Sequence, residues 1–103
     1  MNKDFGLRPD DLLEIRRVLS QYPEVQEAIL FGSRAKGNYR NGSDVDLALR
    51  GSKLTQHIIS RIADTLNEET RMPYQFDVLN YHSIHEPKLV EHIDRVGMVV
   101  YPG

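Results

Sequence analysis

Apolar residues first recur at helical spacing. Leu12, Ile15, Leu19 and Tyr22 lie three or four residues apart, and Leu13 and Val18 widen the stripe. Pro9-Asp10-Asp11 opens this helix: proline suits a first turn, and the acids complement the positive end of the helix dipole. Pro23 ends it. From Val25 to Phe31 the period shortens, and the apolar run Ala28-Ile29-Leu30-Phe31 is stopped by Gly32, which predicts a strand. Residues 32–43 carry Gly32, Gly37, Gly42, Asn38, Asn41 and two serines, the composition of a turn-rich connection. A short helix can begin there, with Ser33 as its expected N-cap.

Strict alternation returns at Val45 to Leu49. Asp44, Asp46 and Ala48 face one way, and Val45, Leu47 and Leu49 face the other. After Gly51-Ser52, the spacing of Ile58, Ile59, Ile62, Ala63 and Leu66 predicts a helix from about Thr55 to Glu69, closed off by Pro73. A third strand follows at Gln75 to Leu79. A last helix spans Glu86–Arg95 with Leu89, Val90 and Ile93 inward, and Gly97 releases the chain into the short strand Met98–Tyr101. The order α-β-(short α)-β-α-β-α-β contains no repeat, linker or low-complexity tract. It predicts an α/β (α+β) domain over residues 1–103, a small mixed sheet packed with helices.

Composition narrows the classes. At 103 residues, 40% hydrophobic and 27% charged, the chain reads as one small globular domain. No apolar run approaches the roughly 20 residues of a membrane span, and Met1 to Gly6 lack the apolar stretch of a leader. The absence of cysteine excludes disulfides and Cys-based zinc sites and fits a cytoplasmic protein. The net charge of −2 hides an uneven distribution. Residues 34–53 carry Arg34, Lys36, Arg40, Arg50 and Lys53 against only Asp44 and Asp46, while both flanking segments are acidic. A pI near 6.0 argues against nucleic acid as the main partner. The local basic rim fits either a solvated loop or a polyphosphate with its metal ions.

The chemistry concentrates in Gly32-Ser33-Arg34-Ala35-Lys36-Gly37 and Ser43-Asp44-Val45-Asp46-Leu47. Asp44 and Asp46, two apart on a strand, point to the same side about 6.5–7 Å apart along the backbone. Two converging carboxylates repel each other unless a cation lies between them, and Mg²⁺ is commonly held by one or two carboxylates plus phosphate oxygens. Asp77, in Phe76-Asp77-Val78-Leu79, is the third acid, flanked by apolar residues and costly to bury without a partner. At the other end, Gly32 allows a ligand close to the backbone, the Ser33 hydroxyl can donate to a phosphate oxygen, and Arg34 or Lys36 can swing against the same anion. Each piece alone is more often structural: Gly-Ser a turn, Asp-x-Asp a solvated turn or strand end, and Asp77 a partly buried ion-pair partner. In order (Gly-Ser, ten residues, Asp-x-Asp, then a strand acid about thirty residues on) they form a constellation.

That constellation resembles the signature of the polymerase-beta-type nucleotidyltransferases, and Phe31–Gly37 with Ser43–Leu47 is similar to the minimal nucleotidyltransferases of bacteria and archaea over nearly the whole chain. The resemblance implies a triphosphate on Gly32, Ser33, Arg34 and Lys36. It implies two Mg²⁺ ions on Asp44 and Asp46, with Asp77 as the positional match for the third catalytic and metal-binding acid. It implies in-line transfer of a nucleoside monophosphate, AMP from ATP, with release of pyrophosphate. It further implies a partner, a small helical HEPN-domain toxin bound in a hetero-oligomer, for which the nucleotidyltransferase is the antitoxin and whose Tyr is the acceptor. On this resemblance, residues 1–103 are expected to form the nucleotidyltransferase domain alone, without the acceptor-binding second domain of larger relatives. The competing expectation is a non-catalytic binding module that masks the partner protein.

Four histidines, His57, His82, His85 and His92, stand outside the motif, and the His82–His85 spacing reads as surface rather than as a zinc site. Tyr74, Tyr81 and Tyr101 read as core or interface residues, and Tyr39 as packing or as a platform for a base. Met98-Val99-Val100 reads as an edge strand open to pairing with another chain.

Overall fold

Helix α1 spans Pro9–Leu19, with Pro9 in its first turn and Asp11 reaching back to accept from the Arg8 backbone N–H at 2.9 Å. It stops before Tyr22, one turn short of the apolar pattern. Strand β1 (Glu27–Phe31) leads into the single-turn helix α2 (Gly32–Lys36), and β2 (Val45–Arg50) follows the connection. Helix α3 covers Gln56–Asp64 and widens into a π turn at Thr65–Glu69, where one continuous helix was expected. The widened turn brings the Asn67 side chain to β3 (Phe76–Asn80), where its amide donates to the Phe76 carbonyl and its carbonyl accepts from the Phe76 N–H. A 3₁₀ turn at Tyr81–Ser83, helix α4 (Pro87–Val96) and β4 (Met98–Tyr101) complete the chain. The computed structural model describes residues 5–40 and 42–103; Met1 to Asp4, in the segment read above for a leader, and Asn41 of the turn-rich connection lie outside the described residues.

The sheet order is β3-β2-β1-β4, with β2 and β3 parallel and the other two pairings antiparallel. Alternation sorts the strand residues between two faces. Ala28, Leu30, Val45, Leu47, Leu49, Phe76 and Val78 pack against Ile15, Val18 and Leu19 of α1 and Ile59 and Ile62 of α3. Burying each such side chain contributes about 1.5–3 kcal/mol, so this face holds the fold together. The opposite face is thinner. Ile29, Phe31 and Ala48 meet Ile93 of α4, with Leu79, Tyr81, Ile84 and Leu89 at the margin. Asp46 and Asp77 belong to this second face by alternation. Among the described residues, no helix is long and apolar enough to cross a membrane.

Candidate active site

The site is built where β1 ends. Gly32 takes φ +77°, a left-handed conformation open to glycine at little cost, and turns the chain from strand into α2. Its backbone lies directly against β2: a Cβ at position 32 would stand 2.2 Å from Asp46 Oδ2. The Gly32 N–H donates to His92 Nε2 of α4 at 3.1 Å, and the imidazole sits edge-on to the Phe31 ring, 6.1 Å between centroids. Accepting at Nε2 places the His92 proton on Nδ1 in this arrangement.

Register does the rest. Phe31 pairs with Asp46, and Asp46 pairs with Asp77, so one row crosses three strands from the Gly32 turn to the third acid. Neighbouring strands lie about 4.7–4.9 Å apart, which sets the carboxylates of Asp46 and Asp77 side by side. Asp44 stands exposed just before β2 and Asp77 is exposed on β3, while Asp46 between them is half-buried. Burial first, then the charges of Asp77 and Asp44, push the Asp46 carboxyl up to about 6, against the pull of the Arg34 guanidinium. Among the described residues, no three His, Cys, Asp or Glu side chains already close into a metal cage. Asp46 and Asp77 share one face, and the charge of Asp44, just before β2, also reaches Asp46.

Asp77 itself faces outward and is exposed, while its neighbours Phe76 and Val78 go to the main core. Two expectations change here. Ser33 is not the N-cap of α2, because the helix begins one residue earlier; Phe31 holds the capping position and Ser33 is the second helical residue, half-exposed. Arg34 is not free to swing against an anion. It is 3% exposed, and its guanidinium donates to the backbone carbonyls of Phe5, Ser43 and Asp44. Lys36 lies exposed at the end of α2. Tyr39 and Tyr74 both stack on Arg34, at 5.3 and 5.0 Å from the guanidinium carbon. His82 accepts from the Gly51 N–H at 3.3 Å.

Sequence reading missed His92. The available signal was positional: Leu89, His92 and Val96 fall at i, i+3 and i+7 on α4, which sets this histidine on the edge of the inward stripe.

Comparison with known proteins agrees with this architecture. The family model described as "Polymerase beta, Nucleotidyltransferase" matches residues 14–102, and the chain belongs to that family. It carries a nucleotidyltransferase domain. Solved structures share the fold at low identity. A toxin–antitoxin complex with AMP-PNP superposes with TM-score 0.74 at 22% identity, covering 88% of this chain and 73% of that one. A MntA-HepT toxin–antitoxin complex gives TM-score 0.70 at 19% identity, covering 91% and 72%. The structure of a tri-AMPylated Shewanella oneidensis HEPN toxin with its MNT antitoxin gives 0.62 at 18%, covering 89% and 67%. No curated protein shows a significant match.

The position of Ser33 inside the helix makes a prediction. Ser33→Ala removes no cap, so the unfolding free energy stays within about 0.5 kcal/mol of the parent. If the Ser33 hydroxyl donates to a phosphate oxygen, nucleotide affinity measured by calorimetry falls by roughly fivefold, the value of one hydrogen bond. A stability loss near a full cap, about 1 kcal/mol or more, would restore the capping role.

Proposed function

We propose that the chain transfers AMP from ATP to a hydroxyl group of a partner protein, a helical HEPN-domain toxin, and acts as its antitoxin. The observation that carries this reading is the row Phe31–Asp46–Asp77, which sets the Gly32 turn and two carboxylates side by side on one open face. The structures sharing the fold include complexes with HEPN and HepT toxins, one of them AMPylated, and one complex with AMP-PNP, which supports the partner and the nucleotide.

The donor set fits a hard divalent cation. Asp44, Asp46 and Asp77 are all carboxylates, and Asp46 already feels the charge of the other two. Mg²⁺ typically takes one or two carboxylates and completes its shell with phosphate oxygens and water, so a preformed three-acid cage is not required. Asp44 and Asp46 would hold the ions, with Asp77 completing the set. Bound Mg²⁺ supplies charge stabilisation of the transferring phosphoryl group and of the pyrophosphate that departs.

The chain's own residues do the positioning. Gly32 leaves room for the triphosphate at the turn, and Ser33 offers a hydroxyl beside it. The His92 imidazole takes up the Gly32 N–H and fixes the turn's orientation against α4. To Asp77, exposed on its strand, we assign acceptance of the proton of the incoming hydroxyl. The acceptor oxygen bonds to the α-phosphorus, the bond from that phosphorus to the bridging oxygen breaks, and pyrophosphate leaves.

The test uses ATP labelled at the α-phosphate, Mg²⁺, this chain and its HEPN-domain partner. Label is expected on the partner, and its incorporation is expected to be blocked when EDTA is present from the start. A stable complex with no label would overturn transfer and leave masking of the partner as the function.

A further inference from the structure

Arg34 sits two residues after Gly32, yet its cationic head is directed away from the open face. Nη1 donates to the Phe5 carbonyl at 2.8 Å. Nη2 and Nε donate to the Ser43 carbonyl at 2.8 and 3.2 Å, and Nε also reaches the Asp44 carbonyl at 3.3 Å. The planar head lies over the rings of Tyr39 and Tyr74. Tyr74 is held in turn: its hydroxyl donates to Asp11 Oδ2 at 2.7 Å, the atom that also accepts from the Arg8 N–H. No ion pair within 4 Å joins Arg34 to a carboxylate among the described residues.

A buried guanidinium is a costly way to fill space, and an apolar side chain of similar volume would do that more cheaply. What the guanidinium alone can do is bridge several carbonyls at fixed angles, which a lysine cannot. Two of the three carbonyls it holds belong to Ser43 and Asp44, the residues that deliver the first acid. The third belongs to Phe5, ahead of α1.

We propose that Arg34 is a positioning residue: it ties the Ser43–Asp44 backbone to the Phe5 segment and so fixes the Asp44 carboxylate relative to Asp46 before metal binds. This rests on the reading of Asp44 and Asp46 as metal-holding acids. Gly6 belongs to the same device. At φ +69°, it leaves the space that Arg34 occupies, since a Cβ there would lie 2.6 Å from Arg34 Nη1 and 2.6 Å from the Tyr39 ring. Gly6→Ala therefore disturbs the seat of Arg34 without touching an acid.

The experiment measures Mn²⁺ binding to the full chain, without nucleotide, by electron paramagnetic resonance, alongside thermal melts. Four proteins are compared: the parent, Arg34→Lys, Gly6→Ala and Tyr74→Phe. Arg34→Lys and Gly6→Ala are each expected to weaken Mn²⁺ at least about fivefold at a temperature where every protein is folded. Tyr74→Phe keeps the ring under the guanidinium and loses only the hydroxyl bond to Asp11. It is expected to lower the melting temperature and to leave Mn²⁺ affinity within about twofold. Should Arg34→Lys fail to fold, Gly6→Ala alone carries the comparison. Mn²⁺ affinity unchanged in both site variants would overturn the proposal, as would an equal loss in Tyr74→Phe, which would reduce the effect to general loosening. A parent that binds no Mn²⁺ would overturn the metal-holding reading itself, and the proposal with it.

Discussion

Asp46→Asn is expected to abolish nucleotidyl transfer, by about 1,000-fold or more, while making the metal-free protein more stable near neutral pH. The two effects have one cause. Asp46 is half-buried between Asp77, its register partner, and Asp44, and its carboxyl is pushed up to about 6 from an ordinary 3.8. A carboxyl with a raised folded-state pKa binds its proton more tightly in the native state than in the unfolded one. Its contribution is therefore most favourable below the unfolded value and is lost as pH climbs through about 6. Asparagine keeps the shape and never ionises. In EDTA, the variant should gain about 1–2 kcal/mol over the parent near pH 8, after discounting for partial solvent screening, and almost nothing near pH 4.

Urea melts at both pH values check this directly. If Asp46→Asn proved less stable than the parent near pH 8, the carboxylate would be a hydrogen-bonded structural group and the site would lose its central member. Saturating Mg²⁺ with nucleotide should reverse the order, because only the parent gains binding energy from the cation. The crossing of the two stability curves on adding metal is the signature of a site strained for function.

How much of this could be read in the sequence depends on the range of the interaction. The alternation of Val45-Asp46-Leu47-Ala48-Leu49 already divides core from site face, because strand period is a local property. The four strands and the helices α1, α3 and α4 were legible from spacing, although α1 ends a turn early and α3 opens into a π turn. The π turn answers a tertiary demand: Asn67 satisfies both outward backbone groups of Phe76, a partner nine residues away. The pairing of Asp46 with Asp77 was not legible, since sheet order and register are decided by how α3 crosses over, not by either strand alone.

The same holds for the two residues read differently or overlooked. Arg34 stands in a basic stretch, and charge composition suggested a solvated or phosphate-facing side chain. Its actual partners are carbonyls on segments 29 and 9 residues away, reached only once Phe5 and Ser43 are folded around it. His92 acts on Gly32 across 60 residues. Ser33 falls inside α2, with Phe31 at the capping position, so its hydroxyl caps nothing.

Gly32 supports the other large prediction. Gly32→Ala meets two separate penalties: a left-handed φ that costs a Cβ-bearing residue about 1–2 kcal/mol, and a Cβ placed 2.2 Å from Asp46 Oδ2. The carboxylate is the movable end of a side chain, so it yields, and yielding carries it out of the row with Asp77. Transfer should fall at least about 100-fold, with a stability loss of about 1–3 kcal/mol. Gly37 is the control that separates the two penalties. It closes α2 at φ +87°, and a Cβ added there would meet nothing within 4 Å, so Gly37→Ala carries the backbone strain alone and should leave transfer nearly intact. A double-mutant cycle then isolates the clash. In an Asp46→Ala background the cost of Gly32→Ala should shrink by about 1 kcal/mol, to the cost seen at Gly37. An equal cost in both backgrounds would mean that the carboxylate does not lie against the turn, and the contact joining the Gly-Ser end of the site to its acids would be lost.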